Sequence, residues 1–232
     1  MKKRILTLFV ITAFLFTLTA CNESKKEEKV DFKTDYEEIN GKENSKGKIH
    51  RTISIDKNNV FVETTPEEIV KMIDNNESFY VYFGSRLCPW CRSVIEKADE
   101  ISRSNGIDKI YYIDIWDDEG NEIFRDKYEL DENNTPVKKI EGTDAYSRLI
   151  QVFSNYLRSY TIKDEDGTEV NVGEKRIYAP NFGYVENGKA KRLVSGKSSL
   201  QKDSREELTE EMLKEEKQIF NEFFVNSCDD SC

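Results

Sequence analysis

The chain has 232 residues, of which 45 are acidic and 35 basic, and its formal net charge is −10. Nucleic-acid binding needs a basic surface that neutralises phosphates, so this charge argues against it. The charge also argues against binding an anionic membrane surface by electrostatics alone. Without an export segment and a polar tether, about 180 residues remain, which is enough for one domain with a real core.

The N-terminus has the layout of a secretory signal peptide. Three basic residues at positions 2–4 precede an apolar stretch from Ile5 to Thr19. This stretch is short for a membrane-spanning helix, which needs about 20 residues, so a transmembrane anchor is the weaker alternative. The sequence therefore predicts that residues 1–20 direct export of the protein.

The residues Leu18-Thr19-Ala20-Cys21 resemble the lipobox of bacterial lipoproteins, in which the cysteine is diacylated and becomes the first residue. The resemblance implies that Cys21 carries the lipid, with palmitate-type chains, and holds the protein on the extracytoplasmic face of a bacterial cell membrane. Residues 22–48 are rich in Lys, Glu, Asn and Ser and poor in apolar residues. This composition predicts a disordered tether, so residues 21–48 form a lipid-bearing linker in this interpretation.

The folded part is predicted to start near residue 49. Alternation between Ile49 and Val62 indicates one or two short strands. Thr65-Pro66-Glu67-Glu68 is typical of a helix N-terminus, with a Thr cap and an early proline. Phe79 to Phe83 is aromatic and β-branched, which predicts a buried strand.

The sequence Cys88-Pro89-Trp90-Cys91 follows this strand closely. Apolar residues then recur at helical spacing until Asn105-Gly106, which is typical of a helix end. Ile110 to Ile115 predicts a second buried strand. The two cysteines therefore lie at a strand-to-helix junction inside a βαβ unit.

The second half of the chain is less regular. Tyr146 to Tyr160 carries an apolar stripe at helical spacing, which we interpret as core packing. Asp164 to Gly167 indicates a turn between two short strands. Asn187-Gly188 between two alternating runs predicts a β-hairpin. A closing helix is predicted to begin at Asp203-Ser204.

The chemistry of a redox pair suits Cys88 and Cys91. Cys88 opens the predicted helix, where free N–H groups and the macrodipole favour a thiolate, and the thiolate is the nucleophile. Cys91 lies one turn further in, where it is more buried and able to resolve a mixed disulfide. Pro89 fits the first helical turn, and Trp90 supplies an exposed aromatic rim for a substrate chain. This chemistry needs neither a metal nor an organic cofactor.

Other roles for the cysteines remain open at this point. A CxxC motif is also found as a structural disulfide or as half of a zinc site, and Cys228 and Cys232 are able to complete a Cys₄ set. However, this second pair lies in the tail at residues 227–232, where Asp and Ser surround it and the spacing is looser. We interpret the tail pair as a separate disulfide, either structural or exchanging electrons with Cys88 and Cys91. No metal site is predicted.

The order strand, Cys-Pro-Trp-Cys, helix and strand resembles the thioredoxin family. Ala179-Pro180, a strand, the turn at residues 186–189 and another strand are similar to the thioredoxin segment around its cis-proline. The resemblance covers about residues 65–225 and implies an α/β fold, with a central mixed sheet flanked by helices. In a domain spanning residues 49–226, it implies a helical and hairpin insertion at about residues 117–176. The chain also resembles thioredoxin-like transport accessory proteins associated with bacteriocin export.

The resemblance further implies that Pro180 is a cis-proline facing the cysteine pair, where it shields the thiolate from metals. The backbone of Ala179 is then exposed for pairing with a substrate strand. One position departs from the family pattern, because the buried acid expected six residues ahead of the first cysteine is Tyr82 here. A tyrosine hydroxyl, water or Glu96 are the candidates for assisting deprotonation of Cys91.

The sequence thus predicts a membrane-anchored, extracytoplasmic thiol–disulfide oxidoreductase that acts on exported proteins through Cys88 and Cys91. A membrane redox partner is expected to exchange electrons with this pair. The alternative is a lipid-anchored binding or assembly module on the same fold, in which the disulfide is structural.

Overall fold

The computed structural model of the protein describes residues 31–225. The predicted signal peptide, the acylation site Cys21 and the tail cysteines Cys228 and Cys232 lie outside the described residues. Between residues 31 and 225, none of the helices has both the length and the apolarity of a transmembrane span.

The architecture is α/β, with a central mixed sheet flanked by helices. The elements in chain order are α1 (Phe32–Glu38), β1 (Phe61–Glu63), α2 (Pro66–Asp74), β2 (Phe79–Gly84), α3 (Pro89–Ser104), β3 (Ile110–Asp114), β4 (Lys127–Leu130), β5 (Pro136–Ile140), α4 (Asp144–Phe153), β6 (Arg158–Lys163), β7 (Glu169–Arg176), β8 (Asn181–Glu186), β9 (Lys189–Val194) and α5 (Glu210–Val225). The central sheet has the strand order β1-β3-β2-β8-β9. Strands β1, β3 and β2 are parallel, whereas β8 and β9 pair antiparallel.

Strand β2 lies in the middle of the sheet, and its side chains enter two cores. Tyr82 packs into the core that α1, α3 and α5 cover. Val81 and Phe83 point the other way, into the core that α2 and α4 cover. Burial on both faces explains why β2 is apolar along its length. The loop with the cysteines follows the C-terminal end of this strand and lies at that end of the sheet.

Helix α3 begins where the sequence predicts. Cys88 is its N-cap, and Pro89 occupies the first turn, where its missing N–H costs no hydrogen bond. Four apolar side chains at helical spacing are buried against the sheet and α5: Val94, Ile95, Ala98 and Ile101. Asn105 caps the C-terminal end, also as predicted.

Two further local signals are confirmed. Thr65 and Glu68 form a reciprocal capping box at the start of α2. The β8–β9 hairpin turns at Asn187 and Gly188, whose φ angles of 48° and 71° are left-handed. Glycine is required at position 188 for a second reason, since a Cβ atom there would lie 2.4 Å from the backbone oxygen of Ile73.

The predicted tether contains part of the fold, so the prediction of disorder is wrong for residues 31–48. The Asp31 side chain accepts the N–H of Thr34 and caps α1. Phe32 and Tyr36, one helical turn apart, are buried in the main core. The surrounding charged residues lower the mean hydropathy and conceal this short apolar face. The domain therefore begins before residue 49 and includes the helix capped by Asp31.

Other boundaries also differ from the predictions. Of the region 49–62, only its end enters strand β1, although Ile53 and Ile55 are buried in an extended segment. Helix α4 ends at Phe153, and Tyr160 lies on strand β6. Helix α5 begins at Glu210 because residues 203–206 close a turn of their own instead.

Residues 117–176, the predicted insertion, contain two hairpins, β4–β5 and β6–β7, with α4 between them. A helix and hairpins are therefore present where the sequence predicts them. Arg125 and Arg176 share the carboxylate of Glu122. Arg125 also donates a 2.9 Å hydrogen bond to the backbone oxygen of Ile177. This buried cluster joins the insertion to the loop that precedes β8.

Candidate active site

Cys88 and Cys91 lie together at the N-terminus of α3, and both are free thiols. The backbone N–H of Cys91 donates to the sulfur of Cys88 over 3.4 Å. The exposed fraction of Cys88 is 4%, whereas that of Cys91 is 0%. A substrate sulfur can therefore approach Cys88 more readily than Cys91.

The surroundings separate the pKa values of the two thiols. A hydrogen bond from the Cys91 side chain lowers the pKa of Cys88, and the backbone N–H groups of Cys91 and Trp90 add to this effect against the opposing effect of burial. Burial raises the pKa of Cys91 well above its usual range. Cys88 is therefore the more acidic of the two thiols, which suits it to attack, and Cys91 is the less acidic one, which suits it to later resolution.

The loop between β7 and β8 faces this pair. The Ala179–Pro180 peptide bond is cis, as the resemblance implies. The backbone oxygen of Ala179 lies 3.8 Å from the sulfur of Cys88. Asn181 holds the turn by donating its side-chain N–H to the backbone oxygen of Tyr178 over 2.8 Å. Backbone groups at Ala179 thus lie beside the sulfur that would meet a substrate.

Trp90 is half-buried rather than an open rim, because a lysine covers its ring. The Nζ atom of Lys197 lies 4.1 Å from the ring centroid, which is a cation–π contact. Burial lowers the pKa of Lys197, while the two cysteine sulfurs act in the opposite direction. Lys197 therefore lies close enough to the pair to stabilise a thiolate.

A cleft of about 220 Å³ opens beside Lys197 and the Ala179–Pro180 loop. Its lining residues are Tyr156, Leu157, Arg158, Arg176, Tyr178, Asn181, Leu193, Ser195 and Lys197. Arg176 pairs with Glu122, and the guanidinium of Arg158 lies over the ring of Tyr178, 5.6 Å from its centroid. The cleft thus presents positive charge next to the Ala179–Pro180 loop, on a protein that is acidic as a whole.

The sequence has Tyr82 where a buried acid was expected, and the structure shows what surrounds this tyrosine. Tyr82 is wholly buried, its hydroxyl acts to lower the pKa of Cys91, and it lies 3.1 Å from the hydroxyl of Tyr36. Glu96 does not assist Cys91, because its carboxylate accepts the backbone N–H of Ser54 over 2.7 Å at the surface. The carboxylate of Asp114 lies at the end of this group of hydroxyls and accepts the hydroxyl of Tyr112 over 2.7 Å.

Sequence reasoning identified both sulfurs and the Ala179–Pro180 loop but missed several neighbours. Tyr36 was missed because it lies in the segment interpreted as a tether. Asp114 and Lys197 gave no local signal, although the position of Asp114, two residues after Tyr112 on one strand, places both side chains on the same face. Within residues 31–225, no group of three or more His, Cys, Asp or Glu side chains is arranged to hold a metal ion.

Comparison with known proteins assigns no family to the chain. No protein-family model matches it, and no curated protein matches it in sequence. The geometry around Cys88 and Cys91 is therefore what supports a function.

Proposed function

We propose that this protein is a thiol–disulfide oxidoreductase of the thioredoxin type, anchored through Cys21 on the extracytoplasmic face of a membrane. The observation that carries the proposal is the pair Cys88 and Cys91, adjacent at a helix N-terminus with pKa shifts in opposite directions. Its substrates are thiols or disulfides of exported proteins. A redox partner in the membrane exchanges electrons with the pair.

The topology of the central sheet supports this assignment. Three parallel strands in the order β1-β3-β2 followed by two antiparallel strands is the arrangement of a thioredoxin-type sheet. The cysteines follow the central strand β2, and the Ala179–Pro180 loop precedes the antiparallel neighbour β8. The loop and the cysteine pair therefore meet at one edge of the sheet.

The chemistry follows from the different acidities of the Cys88 and Cys91 thiols. In reduction, the Cys88 thiolate attacks a substrate disulfide, a bond forms between Cys88 and one substrate sulfur, and the other substrate sulfur leaves as a thiolate. Cys91 then loses its proton and attacks the sulfur of Cys88, which releases the second substrate sulfur as a thiolate. Two electrons have moved to the substrate, and Cys88 and Cys91 share the new disulfide. Oxidation of a substrate dithiol is the reverse sequence.

Trapping of the mixed disulfide tests this function. A Cys91→Ser chain is expected to accumulate a covalent complex with a disulfide-bonded peptide, because no second sulfur is present to release it. A Cys88→Ser chain is expected to accumulate none. Both variants carry Cys21→Ser, Cys228→Ser and Cys232→Ser, and the complex is measured by mass spectrometry without reductant. Equal trapping, or none in either chain, would instead support a binding module with a structural disulfide.

The charge of the cleft predicts a preference among substrates. Lys197→Met is expected to lower kcat/KM about fivefold for a peptide with acidic residues beside its cysteine, the effect of about 1 kcal/mol of charge attraction. A neutral peptide of equal length corrects for any change in the pKa of Cys88, which affects both peptides. Lys189→Met is the matched control, since this exposed lysine lies at the opposite end of the same hairpin. An equal loss for both peptides would contradict a role of Lys197 in substrate choice.

A further inference from the structure

A buried chain of hydroxyl groups begins at the inner thiol. The hydroxyl of Tyr82 acts on the pKa of Cys91 and lies 3.1 Å from the hydroxyl of Tyr36. Tyr36 and Tyr112 act on each other's pKa, and their rings are in contact at a centroid distance of 5.9 Å. Tyr112 donates to Oδ2 of Asp114 over 2.7 Å. A buried series of neighbouring hydroxyl groups, with two hydrogen bonds in it, therefore leads from the sulfur of Cys91 to a carboxylate.

The two ends of this chain have different access to water. Tyr82 and Tyr36 have no exposed surface, and Tyr112 has 3%. Asp114 is only partly buried, and its other oxygen accepts the backbone N–H of Trp116 over 3.0 Å. A proton that leaves Cys91 has no direct route to water, but one that reaches Asp114 does.

The packing holds the hydroxyl groups in line. The ring of Tyr82 stacks between Tyr112 and Phe182, with centroid distances of 5.4 and 4.4 Å. Gly84 lies on the same face of β2, and a Cβ atom there would be 2.2 Å from the hydroxyl oxygen of Tyr82. Glycine at position 84 thus leaves the space through which the Tyr82 hydroxyl reaches Cys91.

The middle of the chain depends on helix α1. Tyr36 comes from this helix, and its backbone oxygen accepts a 2.7 Å hydrogen bond from the buried guanidinium of Arg92 on α3. The ring of Tyr36 also contacts that of Tyr112 at a centroid distance of 5.9 Å. The segment ahead of the first strand therefore contributes to the surroundings of the cysteine pair.

Buried tyrosines usually need a hydrogen-bond partner, and mutual satisfaction in a core is the simplest interpretation of such a cluster. This cluster has two further features that such packing does not require. The series of hydroxyl groups starts at a reacting sulfur, and it ends at a carboxylate that water reaches.

We propose that Tyr82, Tyr36 and Tyr112 relay the proton of Cys91 to Asp114 while Cys91 attacks the mixed disulfide. The proposal rests on the function proposed above. The proton of Cys91 passes to the Tyr82 oxygen, each tyrosine passes on its own hydroxyl proton, and the last proton converts the Asp114 carboxylate to the acid. The electron pair on the Cys91 sulfur forms the new bond to Cys88, and the substrate sulfur leaves with the pair of the broken bond. The tyrosines are neutral before and after the transfer.

The electrostatics agree with this direction. Burial raises the pKa of all three tyrosines, so each passes a proton without accumulating as a phenolate. Burial also raises the pKa of Asp114. A carboxylate whose pKa lies closer to neutral pH is a better proton acceptor from a thiol.

The charged groups that face Asp114 affect its titration. Asp35 on α1 and Arg86 in the loop before α3 both act on it. Burial is the main cause that raises the pKa of Asp35 to about 6, and repulsion from Asp114 adds to it against the attraction of Arg86. An acid pair therefore lies at the outer end of the relay.

A single-turnover reaction separates the two sulfur steps. In a chain carrying Cys21→Ser, Cys228→Ser and Cys232→Ser, Cys88 and Cys91 are the remaining sulfurs of the five cysteines. An aromatic disulfide reagent with a coloured thiolate reports first the attack by Cys88 and then the release when Cys91 attacks. In Tyr36→Phe and Asp114→Asn, the first phase is expected to keep its rate. The second phase is expected to slow by at least about tenfold, a smaller factor than general-base catalysis usually contributes.

The pH profile and two controls distinguish a relay from packing. The second phase of the parent chain is expected to show an ionisation that disappears in Asp114→Asn, and a solvent deuterium isotope effect that changes in Tyr36→Phe. Tyr146→Phe, which removes a buried hydroxyl outside the chain, is expected to leave both phases unchanged. A second phase at the parent rate with an unchanged pH profile in both relay variants would overturn the relay. A parent chain that shows no second phase would instead overturn the proposed function.

If Tyr36→Phe weakens the fold, Asp114→Asn keeps the test valid because Asp114 lies at the surface end of the chain. Urea unfolding of each variant identifies any such loss of stability. A slowed second phase in a variant with parent stability supports the relay. A purely structural role of the residue would change both the rate of the second phase and the stability, or neither.

Discussion

Replacement of Cys88 by serine is expected to lower the rate of catalysed disulfide reduction by at least about a thousandfold, as the loss of a nucleophile does in other enzymes. A serine hydroxyl neither ionises at neutral pH nor forms a bond that a second sulfur resolves. The structure places no other described cysteine at the surface, because Cys91 has no exposed area. The rate is measured with a fluorescent disulfide peptide and excess reductant.

The control for this variant is a chain with Cys228→Ser and Cys232→Ser, which is expected to keep most of its activity because both reacting sulfurs remain. Cysteine and serine are similar in volume, so we expect Cys88→Ser to unfold at nearly the parent urea concentration. A Cys88→Ser chain with full activity would contradict the assignment of Cys88 as the nucleophile.

The second large effect is expected on stability. Arg92→Met should lower the free energy of unfolding by about 3 kcal/mol, because it leaves the backbone oxygens of Tyr36 and Arg51 without a donor at about 1–3 kcal/mol each. The Arg92 guanidinium is fully buried. It donates to the backbone oxygens of Tyr36 and Arg51 and to the side chain of Asn40, at 2.7, 2.6 and 2.5 Å respectively. These bonds fasten α1 and the segment after it onto α3.

Urea unfolding measures this loss, and a surface arginine provides the comparison. Arg148 pairs with Asp74 over 3.0 Å where both side chains are largely exposed, so Arg148→Met is expected to cost less than about 1 kcal/mol. Because Tyr36 depends on the same contacts, Arg92→Met should also slow the step in which Cys91 attacks. Equal stabilities of the two variants would mean that α1 is not held by Arg92.

The parts of the fold that the sequence predicted are those with local signals. The capping box at Thr65, the helix that opens at Cys88 and the turn at Asn187 and Gly188 each depend on residues close together in the chain. The same holds for the sulfur pair, since two residues of spacing on a helix N-terminus bring both cysteines together. The loop at Ala179 and Pro180 is far from them in sequence and was placed beside them by family resemblance.

The parts that were missed depend on contacts between distant segments. Helix α1 buries two aromatic side chains over one turn, too few to stand out among the charged residues around them. Tyr36 and Tyr82 are 46 positions apart, and Lys197 reaches Trp90 from beyond strand β9. The closing helix was predicted too early because Glu206 accepts the backbone N–H of Asp203 in a turn, where the pattern indicated a helix cap.

The pKa of Cys88 in the reduced protein tests the account most directly. It is obtained from the pH dependence of alkylation in a chain whose other cysteines, apart from Cys91, are serine. Hydrogen bonds to the sulfur lower this pKa, so alkylation should reach half of its maximal rate below about pH 8.5, the value of a free cysteine. Cys91, whose pKa is raised by burial, should remain unmodified over this range. Half-maximal alkylation of Cys88 at or above about pH 8.5, or faster modification of Cys91, would contradict the assignment of Cys88 as the more acidic, attacking thiol.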